Sequence, residues 1–171
     1  MIGIIVARSQ NNVIGKDGKI PWFIKGEQKQ FKELTTGQTV IMGRRSYEEI
    51  GHPLPNREII VVSTTKTYVD KNVITARNLE EALSLVTTEN AYIAGGSRLF
   101  EEGLKFADKL FITEVDMVVP FGDTFFPNFD EEKYDKEIGE VGGDVVKFTR
   151  TTYTKLKTLE KDEHNDAEND Y

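Results

Sequence analysis

The sequence predicts one α/β domain with a mostly parallel sheet and an antiparallel end. Three observations carry this. Apolar runs of strand length alternate with segments of helical periodicity, the pattern of strand–helix–strand crossovers. Runs such as Ile2 to Ala7 and "KLFITEV" are apolar on both faces, as strands covered by helices on two sides are. Near the C-terminus two runs, about Tyr134–Val141 and Val145–Lys157, follow each other across Gly142-Gly143 with no helix between, which suits an antiparallel pair.

The elements follow in order. Ile2 to Ala7 is the first strand, and Arg8 to Ile20 reads as loop, with Asn11-Asn12, Gly15 and Asp17-Gly18 as turn signals. A helix is expected from about Lys25 to Thr36, which would set Ile24, Glu27, Phe31 and Leu34 on one face. "TVIMG" is a strand and "RRSYEEIG" a short helix closed by Gly51. "HPLPNR" is a loop ruled by proline, and "EIIVVST" and "NVITA" are strands. Asn78 and Glu81 form a capping-box pattern ahead of an apolar stripe of Leu79, Ala82, Leu83 and Val86. "AYIAGG" runs into the helix "SRLFEEGLKFA". "KLFITEV" is an interior strand, and a loop with Gly122, Asp123 and Pro127 leads to the last pair.

Composition narrows the function classes. The 171 residues suffice for one domain with a core, and no internal repeat or linker appears. No apolar run is long enough to span a bilayer, and the start of the chain lacks the pattern of a signal peptide. Cysteine is absent, which excludes disulfides and thiol chemistry and fits the cytoplasm. Residues 160–171 carry six acids against Lys161, so they hold −5 of the net −7. The expected division is a domain over 1–158 and a solvated acidic tail over 159–171. The remaining −2 is not the basic body of a nucleic-acid binder. The two histidines, His52 and His164, lack metal-ligand company, so no metal site is expected.

Two strand-to-helix junctions stand out, Met42-Gly43-Arg44-Arg45-Ser46 and Ala94-Gly95-Gly96-Ser97-Arg98. Such a junction points backbone N–H groups and a positive helix end at one place, which suits phosphate. Either junction alone is better explained by glycine ending a strand and arginine solvating a surface. Two of them on adjacent parallel strands favour a ligand at the strands' carboxyl ends. Three arginines match more phosphate than one diphosphate carries, so NADPH is favoured over NADH. Ser63 and Thr64, ending the neighbouring strand, can donate hydroxyls to the same anion.

Other positions are ambiguous on spacing. Glu27 is either an ordinary acid of a helix's first turn or a buried carboxylate that needs a partner. Thr113 sits in an interior strand, where its hydroxyl either serves its own backbone or meets a ligand. Arg57 follows a stiff proline loop and is either a surface residue or a bidentate anchor for a carboxylate.

Taken together, "NNVIG", "IPW", "TVIMGRRSYEEIGHPLPNR", "IAGGSRLFEEGL" and "FGDTFFP" resemble bacterial dihydrofolate reductases over nearly the whole chain up to about Lys157. The resemblance implies a single-domain, eight-stranded sheet flanked by four helices. It implies NADPH-dependent reduction of 7,8-dihydrofolate to tetrahydrofolate by a cytoplasmic monomer that binds antifolates. By position, Glu27 matches the active-site acid, Thr113 its hydrogen-bond partner and Trp22 the residue holding a water nearby. Ile5, Val6, Ala7, Gln28, Phe31, Ile50, Leu54, Ala94 and Phe100 match the substrate pocket, and Arg57 matches the grip on the glutamate tail. Ala7, Ile14, Gly15, Gly18, Ile20, Gly43, Arg44, Arg45, Ser46, Ser63, Thr64, Arg77, Ala94, Gly95, Gly96, Ser97, Arg98, Leu99, Phe100 and Thr124 match cofactor-binding positions. Asn12 to Pro21 matches a mobile loop over the nicotinamide, supported by the loop of Asp123.

Three departures matter. Glutamate stands at position 27 where most bacterial members have aspartate, Gln28 replaces a commonly apolar residue, and Phe100 replaces a common tyrosine. The Glu27-Gln28 pair is similar to trimethoprim-insensitive members carried on mobile elements. Two other readings share parts of this pattern: a reductase of the same fold acting on a pyrimidine intermediate of riboflavin synthesis, and a non-catalytic NADPH- or folate-binding module. The first would not need Glu27, Phe31 and Arg57 together, and the retained acid argues against the second.

Overall fold

The computed structural model describes residues 1–24, 26, 28–52 and 54–157. Glu27, His164 and the expected tail at 159–171 lie outside the described residues. The main sheet has eight strands: β1 (Ile2–Ser9), β3 (Thr39–Gly43), β4 (Glu58–Val62), β5 (Val73–Ala76), β6 (Ala91–Ile93), β7 (Lys109–Val115), β9 (Tyr134–Gly143) and β10 (Lys147–Lys155). Their order is β5-β4-β3-β6-β1-β7-β10-β9. Every ladder is parallel except the two made by β10, which runs antiparallel to β7 and β9. Only β10 therefore opposes the common direction, as expected.

Four helices cover the sheet: α1 (Lys29–Thr35), α2 (Arg44–Ile50), α3 (Leu79–Ser84) and α4 (Ser97–Gly103). Strand alternation sorts them. Ile4, Ile41, Ile60, Ile93, Leu110 and Ile112 share one cluster with Leu79 and Ala82 of α3 and Leu99 and Phe100 of α4. Val40, Met42, Ile59 and Val61, one residue out of phase, meet Phe31 of α1 and Tyr47 and Ile50 of α2. Each fully buried Ile or Leu contributes about 2 kcal/mol from removal of apolar surface.

Several expectations are revised. The helix foreseen from Lys25 begins at Lys29, because Gly26 has φ +85°, outside helical space. Ile24 therefore lies before the helix and does not share a face with Phe31 and Leu34. The segment 8–20 is not all loop. β2 (Val13–Gly15) pairs with β8 (Thr124–Phe125), and Lys16 and Lys19 exchange backbone hydrogen bonds across Asp17-Gly18. Both turn residues have positive φ, 53° and 75°, as a two-residue hairpin turn of this kind requires. The final pair runs to Gly143 and restarts at Lys147, so Val145 belongs to the turn.

The cap at α3 forms with one change of partner. The Asn78 side chain accepts the Glu81 N–H at 2.8 Å, but Glu81 accepts from the Arg77 N–H rather than from that of Asn78. Asn78→Ala is expected to destabilise the protein by about 1 kcal/mol in urea unfolding, with unchanged cooperativity.

Candidate active site

The carboxyl ends of the parallel strands gather the residues singled out by sequence. The two glycine junctions touch: the Gly43 N–H donates to the Gly95 carbonyl at 2.8 Å, and the Ala94 N–H to the Ile41 carbonyl at 2.9 Å. The backbone is open there. A side chain at Gly95, whose φ is +131°, would meet the Ser46 hydroxyl at 3.0 Å, so Gly95 and Ser46 are packed as close as glycine permits. The Gly95-Gly96 peptide is cis. Leu99 and Phe100 are buried behind this point, with the Phe100 ring 5.3 Å from that of Phe126. Ser97, Arg45 and Arg98 stand exposed in front of it.

The cation set differs from a simple list of arginines. Arg44 pairs with Glu48 at 3.2 Å, and Glu48 also takes Lys66 at 3.5 Å and accepts a hydrogen bond from the Tyr68 hydroxyl. The Tyr68 hydrogen bond first, and then the two cations, hold the Glu48 carboxyl below its ordinary range. Lys66 and Tyr68 were not foreseen. Lys66 is the one cation in "STTKT" beside Ser63, which was the available signal. Arg77, expected to meet cofactor, is exposed and donates to the Ser63 and Lys66 carbonyls and the Thr67 hydroxyl, so it also shapes the loop. The Ser63 hydroxyl accepts from the Lys66 and Thr65 N–H groups, while Thr64 is exposed.

An apolar wall stands beside the junctions. Phe31, Ile50, Leu54 and Ala94 pack on the cluster of Val40, Met42 and Val61. Arg57 closes this wall, buried to 7% exposure, with its guanidinium 5.9 Å from the Phe31 ring centre. Its Nε donates to the Pro55 carbonyl at 3.1 Å, a bond that leaves the two terminal NH2 groups for another acceptor. Burial pushes its pKa down, so an incoming carboxylate would offset that cost.

Across the sheet, Ile5, Ala7 and Thr113 share the α1 face, since Ala7 and Thr113 are direct partners in the β1–β7 ladder and Ile5 is in phase with Ala7. Val6 is out of phase and packs into the opposite cluster. Thr113 is buried. The Trp22 indole N–H is buried and meets no acceptor among the described residues, a place that calls for water or a ligand. Gln28 is exposed at the start of α1, with no side-chain cap bond.

The loop of β2 is clamped. The Asp17 N–H donates to Asp123 Oδ2 at 2.9 Å, and the Asp123 N–H to the Gly15 carbonyl at 3.2 Å. Thr124 donates to Asp123 Oδ1 at 3.0 Å. Ile14 packs inward, while Gly18 and Ile20 stay exposed. Among the described residues no group of acids and histidines can hold a metal ion, and no helix is long and apolar enough to cross a membrane.

Comparison with known proteins names this arrangement. The family model for dihydrofolate reductase matches residues 1–168. Dihydrofolate reductase type 3 of Salmonella typhimurium is 43% identical over 130 residues, 75% of this chain and 80% of that protein. The dihydrofolate reductase of Haemophilus influenzae is 40% identical over 138 residues, 80% of this chain and 85% of that one. Among solved structures, the Enterococcus faecalis dihydrofolate reductase complexed with NADP(H) and RAB-propyl matches with a TM-score of 0.81 and 33% identity. That match covers 92% of this chain and 97% of the other. The chain belongs to the dihydrofolate reductase family.

The Asp123 carboxyl lies below its ordinary value of 3.8, held there first by the Asp17 N–H and then by Thr124. A depressed carboxyl gives a clamp that is complete above the ordinary value and released as pH falls through the lowered one. The Asp17 amide resonance is expected to titrate with a midpoint below 3.8 and to lose that titration in Asp123→Asn.

Proposed function

We propose that this chain binds NADPH across the two glycine junctions and dihydrofolate against the apolar wall, and that Glu27 anchors the pterin. The observation that carries this reading is the meeting of the junctions through the Gly43–Gly95 bond, beside a wall that ends in the buried Arg57. The junctions' N–H groups and the cations Arg44, Arg45, Lys66 and Arg98 suit a dinucleotide with an added phosphate. The apolar wall suits an aromatic ring system, and Arg57 suits the carboxylate of its tail.

Bound NADPH supplies the hydride. The chain's own residues supply orientation and water exclusion. An ionised Glu27 accepts two hydrogen bonds from the amidine-like edge of the pterin, with Thr113 as its partner. Held so, the ring would be oriented for the hydride that a cofactor bound at the glycine junctions would supply. N5 must also gain a proton. Neither histidine stands at a position that matches the family's site, so a water held near the Trp22 indole N–H is the carrier, favoured by the Glu27 charge. The Asp17–Asp123 clamp holds the loop over this region. The enzyme acts as a cytoplasmic monomer without nucleic acid, a reading supported by the acidic balance of the body and the absence of cysteine.

Reduced trimethoprim sensitivity is part of the proposal. It rests on Glu27 with Gln28, whose exposed amide replaces an apolar contact at the start of α1. Tight inhibition at concentrations that stop ordinary bacterial members would refute it. For the reaction itself, loss of nicotinamide absorbance is followed with NADPH and dihydrofolate. Glu27→Gln is expected to lower kcat about 100-fold or more at neutral pH while NADPH affinity stays nearly constant. A fully active Glu27→Gln enzyme would remove the acid from its assigned role.

A further inference from the structure

Arg150 sits in the middle of β10, 7% exposed, where a strand packed under a helix normally carries an apolar side chain. Its register partner in β7 is Thr113, and Thr113 in turn partners Ala7 in β1. Direct partners across a sheet project to the same side. Ala7, Thr113 and Arg150 are therefore one row, on the face that α1 covers. The row runs from the nicotinamide side of the proposed site straight to the guanidinium.

The guanidinium is spent on the segment around residue 27. Nη2 donates to the Gly26 carbonyl at 3.0 Å, and Nη1 donates to the Gln30 side-chain oxygen at 3.1 Å. These two attachment points bracket Glu27 in sequence. Among the described residues little else holds its flanks. Gly26 is in a left-handed conformation, Gln28 forms no side-chain cap, and the first turn of α1 has no acid to meet its free N–H groups. Among the described residues the Gly26 carbonyl otherwise accepts only a long 3.3 Å bond from the Lys29 N–H.

The other side of Arg150 shows where its charge is directed. Opposite it, β9 carries an extra residue, which brings Glu140 within 3.3 Å of Nε, and the Phe148 ring lies 5.0 Å from the guanidinium carbon. The shallow cleft outside, about 370 Å³, is rimmed by Glu33, Glu137 and Glu140. Three carboxylates repel an external anion, so Arg150 is not an anion site. Glu140 and the ring offset its burial from outside, where the buried Nε has the ion pair but no hydrogen bond among the described residues, and both Nη groups donate toward α1.

We propose that Arg150 is a positioning residue for Glu27, tying Gly26 and Gln30, on either side of that position, to the Thr113 row. This rests on the reading of Glu27 as the pterin anchor.

Four variants test it: Glu27→Gln, Arg150→Met, Arg150→Lys and Gln30→Ala, each assayed for steady-state kinetics, NADPH dissociation constant and Tm. Arg150→Met is expected to lower kcat/KM for dihydrofolate by about 10- to 100-fold, the scale of a displaced catalytic group, with NADPH affinity within about twofold. Arg150→Lys, which keeps the charge and can still reach the Gly26 carbonyl, is expected to recover to within about fivefold of the native enzyme. Gln30→Ala removes one tie without burying a new group and is expected to lower kcat/KM about threefold, even if Arg150→Met fails to fold. Loss of Tm in Arg150→Met with kcat/KM unchanged overturns the proposal, as does an equal loss of NADPH affinity. Unchanged kcat/KM in Gln30→Ala together with an unfolded Arg150→Met also overturns it. If Glu27→Gln is inactive and the Arg150 and Gln30 variants are normal, only the positioning role falls. If Glu27→Gln is fully active, the anchor reading falls and takes this one with it.

Discussion

The 2.8 Å hydrogen bond from the Gly43 N–H to the Gly95 carbonyl is the constraint on which the site depends. It continues the β3–β6 ladder past the last strand residues and locks two strand-to-helix junctions side by side. From this joint α2 packs on the Val40 and Met42 face of the sheet and α4 on the Ile41 and Ile93 face. The apolar wall of Phe31, Ile50 and Leu54 then stands on one side of the joint, and Phe100 and Phe126 back it on the other. A side chain at Gly95, whose φ is +131°, would strain the backbone and press on the Ser46 hydroxyl, whereas one at Gly43 would meet its neighbours only at ordinary contact distance.

Most of this was legible in the residues. Runs apolar on both faces located the interior strands, because a parallel sheet covered on two sides leaves no polar face to read. Gly51 and Asn78 announced a helix end and a helix start through well-understood caps. What was not legible has physical causes. β2 and β8 are three and two residues long, too short for any period to register. The start of α1 depends on a positive φ at Gly26, which no apolar pattern encodes. The pocket grouping of Ile5, Val6 and Ala7 ignored phase, and the pleat sends Val6 to the other core.

Arg150 is the instructive omission. A charge in an apolar pattern drew attention to Glu27, yet the same test was not available in "KFTRTTYTK", where threonines on both faces blur the alternation. The register made it visible, by setting Arg150 directly opposite Thr113. Arg77 teaches the reverse lesson. Its position matched a ligand contact, and part of its guanidinium also holds the loop after β4, so it shapes the backbone there as well.

The extra residue in β9 opposite Arg150 has a consequence for how this protein behaves among its copies. An eight-stranded sheet that is not closed exposes two edges, and an edge strand with a regular row of free N–H and carbonyl groups invites another chain to add to it. Here β5 ends the sheet after four residues. On the other side, the irregular β9 interrupts the row and carries Asp135, Lys136, Glu137 and Glu140 along it. Neither edge offers a long flat template, so the fold resists edge-to-edge aggregation at high concentration.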